Sequence, residues 1–177
     1  MIELSLLKEK KAEKIAVVGV GNLLLGDEGF GVHVLNRLKS LPLPENVEIY
    51  EYGVAGLKIL RVFDEADKVI FIDAIKLGKK PGTIYVLSMN FDDESAVDRI
   101  VKMQSLHDLD LTTTLSIAKL AGFKVPREIV VLGVEPKEIE PKIGLSKEVE
   151  EALPKVVEIL LNIFNSVQKV TCDSNLA

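Results

Sequence analysis

The chain is poor in the residues that build closed metal sites and stacking surfaces. It has no tryptophan, 5% aromatic residues, one cysteine (Cys172) and two histidines (His33 and His107). One cysteine can form neither an internal disulfide nor a thiolate-rich zinc or iron–sulfur site within the chain. Any metal site must therefore be built mostly from carboxylates, with at most two histidines. So few aromatics exclude a base-stacking platform. Acidic residues outnumber basic ones 27 to 22, for a net charge of −5, so the basic excess of a nucleic-acid footprint is missing. No apolar run reaches the roughly 18 residues of a membrane span. Between Met1 and Lys14 the chain meets the charged run Lys8-Glu9-Lys10-Lys11 directly after Leu6 and Leu7, which is not the apolar stretch of a signal peptide. These absences predict a soluble cytoplasmic protein that inserts into no membrane and binds no nucleic acid.

What is present is a globular composition, with 47% hydrophobic and 28% charged residues in 177. We expect a single domain over 1–177, with a core of about 15–167, a short N-terminal extension and a polar C-terminal tail. Short β-rich runs alternate with longer helical runs. Ile15-Ala-Val-Val-Gly-Val20 reads as a buried strand that ends in a glycine-rich loop. Phe30, Val34, Leu38 and Leu41 follow at helical spacing until Pro42. Val47 to Tyr52 reads as a strand and Ala55 to Phe63 as a helix. Lys68-Val-Ile-Phe-Ile-Asp73 is apolar throughout its interior, the mark of a strand buried on both faces. The turn signal Gly78-Lys-Lys-Pro-Gly82 leads at once into Thr83-Ile-Tyr-Val-Leu87. No crossover helix fits there, so this strand is predicted to run antiparallel. Asn90 to Lys102 is ambiguous. Ser105-Leu-His-Asp108 opens a helix that Gly122 stops, and Glu128 to Val134 is the last strand. Ser146 caps a final helix reaching about Val167, which Pro154 should break or kink. The alternation implies a mostly parallel sheet covered on both sides. Such sheets bind ligands beyond the carboxyl ends of their strands, so the loops after Val20 and Ile72 are the first places to look.

The first loop, Gly19-Val-Gly-Asn-Leu-Leu-Leu-Gly-Asp-Glu-Gly-Phe-Gly31, begins like a dinucleotide fingerprint. Leu24 stands where the third glycine belongs, and Asp27 and Glu28 at the helix mouth would repel a phosphate. For these two acids the bland reading is compensation of the helix dipole, and for Asn22 a turn role. Asp73 sits at the carboxyl edge of its strand, where a buried carboxylate needs a partner, a cation or water. His107 falls in the first turn of its helix, where the dipole favours a neutral imidazole, suited to a base or a metal ligand. His33 lies outside the apolar arc of its helix and reads as a surface residue. Cys172 lies in a polar tail with no partner that would make it a nucleophile. Asp92-Asp-Glu94 reads as a solvated charge cluster, and no Gly-x-Ser-x-Gly elbow supports serine catalysis. Glu28, Asp73 and His107 thus emerge as the set that converges on one cleft. Two carboxylates and an imidazole suit a divalent metal with open positions or acid–base catalysis, and spacing does not choose between them.

The Gly19 to Gly31 loop resembles the signature of the NiFe-hydrogenase maturation endopeptidases. Asp73-Ala-Ile followed by Pro81-Gly-Thr83 resembles the central strand of that family and the turn after it. Ser105-Leu-His-Asp108 resembles its histidine segment. Gly133-Val-Glu-Pro136 and Glu140-Pro-Lys-Ile-Gly-Leu-Ser146 resemble its last strand and the entry to its final helix. The likeness runs colinearly from about Ile15 to Phe164. One segment departs: Glu51, Tyr52 and Val54 stand where the family usually has aspartate, glycine and threonine.

The resemblance implies a three-layer α/β/α sandwich of the phosphorylase/hydrolase-like kind. Its mixed five-stranded sheet has order 2-1-3-5-4, with strand 4 antiparallel. It implies an endopeptidase that removes the C-terminal extension from the precursor of a NiFe-hydrogenase large subunit after nickel insertion. The family's metal-contacting positions fall on Glu28, Asp73 and His107, which the resemblance makes both metal-contacting and catalytic. The nickel is presented by the precursor and no nucleotide cofactor is implied. A monomer is expected. The rival readings are a non-catalytic metal- or nucleotide-binding module on the same scaffold, and a hydrolase of related fold with another substrate.

Overall fold

Five strands line up in the order β2-β1-β3-β5-β4. The computed structural model describes residues 12–52, 58–90 and 117–173. Its elements are β1 (Ile15–Val20), a 3-10 turn (Gly26–Gly29), α1 (Phe30–Leu38), β2 (Val47–Tyr52), α2 (Ile59–Glu65), β3 (Lys68–Ala74), β4 (Ile84–Asn90), β5 (Glu128–Val134) and α3 (Lys147–Asp173). β1, β2, β3 and β5 are parallel, and β4 runs antiparallel against β5. The tight Gly78 to Gly82 connection explains that reversal, because it has no room for a crossover helix. The expected strand order and the antiparallel fourth strand are both observed.

The alternation of the strands sorts the core into two layers. Ala16 and Val18 of β1, Val69 and Phe71 of β3, and Ile129 and Val131 of β5 face α2, whose Ile59, Val62 and Phe63 are buried on them. Ile15 and Val17, Ile70 and Ile72, and Val130 and Leu132 face the other way. There α1 contributes Val34, Leu35 and Leu38, and α3 contributes Val149, Val156 and Leu160. β3 is the apolar strand covered on both sides that its composition predicted. A cross-strand ion pair, Lys68 to Glu128 at 2.7 Å, closes the amino end of the β3–β5 pair.

Four expectations about helices change. α1 ends at Leu38, short of the expected Leu41. α2 is observed from Ile59 to Glu65, ending beyond the predicted Phe63, and positions 55–57 of that prediction lie outside the described residues. Of the helix predicted after Ser105, only 117–120 is described as helical, and it ends in a turn at Gly122. α3 runs to Asp173 rather than about Val167, and Pro154 lies inside it without breaking it. Pro154 is on the solvent face, where the carbonyl left without a helical donor reaches water. Its neighbours Ala152, Val156 and Val157 are buried against the sheet and hold the helix in place. None of the described helices is long and apolar enough to cross a membrane.

Candidate active site

The carboxyl edge of the sheet collects all the buried charge found among the described residues. Asp27, Asp73 and Glu135 are the buried acids, following β1, ending β3 and following β5. This is the edge where a parallel sheet leaves loops free to bind a ligand.

The turn carrying Glu28 is made possible by glycine. Gly21 leaves β1 at φ +143°, and a Cβ there would lie 2.1 Å from the carbonyl oxygen of Glu28. Gly31, in the first turn of α1, lets the helix rest on strand backbone. A Cβ at Gly31 would lie 2.3 Å from the carbonyl oxygens of both Val20 and Ile72. The 3-10 turn thereby packs against β3, and Glu28 is half-buried at its end of the sheet. Asn22 is a turn residue: its side-chain oxygen accepts the Leu24 N–H at 3.0 Å, and its carbonyl accepts the Leu25 N–H at 3.1 Å.

Asp27 stands in the first turn at the helix mouth, and its carboxylate makes long-range contacts as well. Its carboxylate is fully buried and turned toward the loop between β5 and α3. It accepts the N–H groups of Lys137 at 2.8 Å, Glu138 at 3.2 Å and Ser146 at 2.6 Å, and the Ser146 hydroxyl at 2.8 Å. Ser146 stands directly before the final helix, where its carbonyl accepts the Glu150 N–H at 2.8 Å while its hydroxyl donates to Asp27. A parallel bridge between Leu25 and Lys142 extends the contact. The Gly26 N–H donates to Lys142 at 2.8 Å, and the Lys142 N–H donates to Leu24 at 2.9 Å.

Asp73 is buried in β3 opposite Gly133 of β5. Its Oδ1 accepts the N–H of Ala74 at 2.7 Å. The loop leaving Asp73 is anchored by Glu135, which the sequence reading passed over. Glu135 accepts the N–H groups of Leu77 at 2.9 Å and Gly78 at 3.0 Å, and the hydroxyl of Tyr85. Burial alone would raise the Glu135 carboxyl. The hydrogen bonds from Tyr85 and from the Leu77, Lys79 and Gly78 amides outweigh it and hold the group below the usual carboxylate range. The same contact works in reverse on Tyr85. Burial first, then the hydrogen bond and charge of Glu135, push its hydroxyl up to about 12. The signal that singled out Asp73, a carboxylate at the carboxyl end of a strand, applies equally to Glu135.

Of the expected set, Glu28 and Asp73 come to the same edge: the turn bearing Glu28 packs on the strand that carries Asp73. His107 lies outside the described residues, as do Asp92, Asp93 and Glu94. No group of three potential metal-holding side chains occurs among the described residues. His33 is not on the open surface. It is half-buried, and its Nε2 is enclosed with no hydrogen-bond partner among the described residues. Of the positions that depart from the resembled family, Glu51 pairs with Lys39 at 2.8 Å and Tyr52 stacks on Tyr50 at 6.2 Å between ring centroids. Val54 lies outside the described residues.

Fold and site define a class: an α/β/α protein that presents carboxylates on glycine-tightened loops at the carboxyl edge of its sheet. Comparison with known proteins narrows it. The sequence profile of HycI-type hydrogenase maturation proteases matches residues 32–163. A putative hydrogenase maturation protease of Methanocaldococcus jannaschii is 36% identical over 157 residues, covering 85% of this chain and 96% of that one. The hydrogenase 2 maturation protease of Escherichia coli K12 is 36% identical over 150 residues, covering 84% and 88%. The solved structure of the hydrogenase maturating endopeptidase HybD of E. coli superposes with a TM-score of 0.74 at 34% identity, covering 86% of this chain and 93% of that one. The chain belongs to the hydrogenase maturation protease family.

Proposed function

We propose that this protein is an endopeptidase that removes the C-terminal extension from the precursor of a NiFe-hydrogenase large subunit after nickel insertion. Glu28, Asp73 and His107 contact the nickel that the precursor carries. The observation that carries the reading is that the 3-10 turn bearing Glu28 packs against β3, near whose carboxyl end Asp73 stands, in a chain of this family. Two carboxylates and one imidazole leave open positions on a divalent metal, so they can engage an ion that another protein already holds. Two routes lead to the cut. The precursor's metal can polarise the scissile carbonyl and a bound water. Alternatively, a carboxylate can take the proton of the attacking water as general base. In both, water oxygen joins the carbonyl carbon, the carbon–nitrogen bond breaks and the leaving amine takes up a proton.

The test is the mass of candidate large-subunit precursors, with and without nickel, before and after incubation with this chain. The reading expects a loss of C-terminal mass from the nickel-loaded precursor and no change in the nickel-free one. Equal cleavage of both removes nickel recognition, and no cleavage of either removes the activity.

A further inference from the structure

The segment that leaves β5 is bonded to both carboxylate-bearing loops. On one side it holds the chain that follows Asp73. Asp73 and Ala74 lie opposite Gly133 and Val134 in the β3–β5 ladder, and the Ile75 N–H donates to the Val134 carbonyl at 2.9 Å. Ile75 covers Gly133, where a Cβ would come within 2.4 Å of its Cδ1. The next residue, Glu135, takes the Leu77 and Gly78 N–H groups and the Tyr85 hydroxyl on its carboxylate. Its own N–H donates to the Thr83 carbonyl at 2.8 Å, and its carbonyl accepts the Gly82 N–H at 2.8 Å. Both ends of the loop from Leu77 to Thr83 are thereby fastened to one residue.

Further along the same segment, the Lys137 and Glu138 N–H groups are held by Asp27, the chain neighbour of Glu28. Residues 133–138 therefore form a strut between the Asp73 loop and the Glu28 turn, with a buried carboxylate fixing each end. Burying an acid costs free energy that its hydrogen bonds offset, and a satisfied buried network specifies one geometry where an apolar contact does not. Reacting groups need that precision, since a misplacement of about 1 Å costs about a hundredfold in rate. We propose that Glu135 is a positioning residue for the cleavage reaction: by fastening the loop after Asp73 to the segment that Asp27 fastens beside Glu28, it holds the two carboxylates in one relation to the precursor's metal. The inference rests on the processing function above and adds a residue that acts through Asp73.

The experiment compares the full chain with Glu135→Ala, Glu135→Gln and a control in the buried face of α3, Val156→Ala, on nickel-loaded large-subunit precursor. The values of kcat, KM and precursor Kd are read at a temperature where each melting curve shows the protein folded. Glu135→Ala should lower kcat by about tenfold or more, with KM and Kd unchanged. Glu135→Gln keeps the length and one acceptor oxygen, and should recover part of that loss. Val156→Ala should lower the melting temperature and leave kcat unchanged. In an Asp73→Asn background, Glu135→Ala should cost nothing further. An unchanged kcat in the Glu135 variants overturns the proposal, as does an equal loss in Val156→Ala or an undiminished loss in the Asp73→Asn background. If Glu135→Ala does not fold, Glu135→Gln decides: a kcat equal to that of the unaltered chain overturns the proposal. Hydrogen exchange gives a readout apart from activity. The Ala74 N–H, which donates to Asp73 Oδ1, should exchange faster in the Glu135 variants than their loss of stability accounts for. If the unaltered chain cuts no precursor, the processing function fails while the hold on Asp73 is judged by this exchange, and unchanged protection of Ala74 overturns it as well.

Discussion

Ser146 gives both its backbone N–H, at 2.6 Å, and its hydroxyl, at 2.8 Å, to the buried carboxylate of Asp27. The two residues are 119 positions apart in the chain. Their contact joins the turn that presents Glu28 to the loop that enters α3. A carboxylate accepting several backbone N–H groups in a buried setting is strongly held, and its loss leaves those donors without partners. Asp27→Ala is expected to cost on the order of 3 kcal/mol or more. Asp27→Asn, which keeps the shape but turns an amide toward the donors, should fall between the two. Denaturant unfolding of the three proteins checks the order.

Gly21 and Gly31 are predicted to be intolerant of alanine for steric reasons. A Cβ at position 31 would press on two carbonyl oxygens at 2.3 Å, and one at position 21 on that of Glu28 at 2.1 Å. Neither contact is to a flexible side chain end, so backbone must move. Each substitution should destabilise by about 1–3 kcal/mol or more. Gly21→Ala should also slow precursor cleavage beyond its effect on the folded fraction, because it displaces Glu28. Unfolding curves and cleavage rates on the folded variants separate the two effects.

The Glu135–Tyr85 contact gives a pH dependence with a definite sign. Glu135 has a folded value below its ordinary 4.5. Its contribution to stability is therefore present above about 4.5 and is lost as pH falls through the lower folded value. Tyr85, raised from 10.0 to about 12, contributes below 10 and loses that contribution as pH rises through about 12. Glu135→Gln should flatten the acid limb of the melting temperature against pH, and should bring the Tyr85 ionisation down in an absorbance titration. An unchanged acid limb contradicts this assignment.

Pro154→Ala is expected to stabilise the protein, by about 1 kcal/mol or more, because it restores a helical donor in the interior of α3. The position is exposed, so no packing is lost. Thermal unfolding of the variant reads the gain.

Much of this architecture was legible in local pattern. β3 declared itself by an apolar run too continuous for a half-exposed strand, and the reversal of β4 by a connection too short for a helix. Asp73 was legible from its place at a strand end. The strand order, by contrast, came from the family resemblance, because pattern does not show which parallel strands are neighbours. What stayed hidden depends on contacts distant in sequence. The role of Asp27 is set by residues 137–146, which no local spacing connects to it. The endurance of α3 through Pro154 is set by the buried face the helix lays on the sheet, which outweighs the local preference to break. The half-burial of His33 likewise does not follow from its position off the apolar arc of α1.

The central claim is that Glu28, Asp73 and His107 act together on the precursor's metal. The most direct measurement is the cleavage of nickel-loaded precursor by Glu28→Gln, Asp73→Asn and His107→Ala, each shown to be folded by its melting curve. The account predicts that each variant loses processing by at least about a hundredfold while it still binds the precursor. Full processing by any one of these folded variants contradicts it.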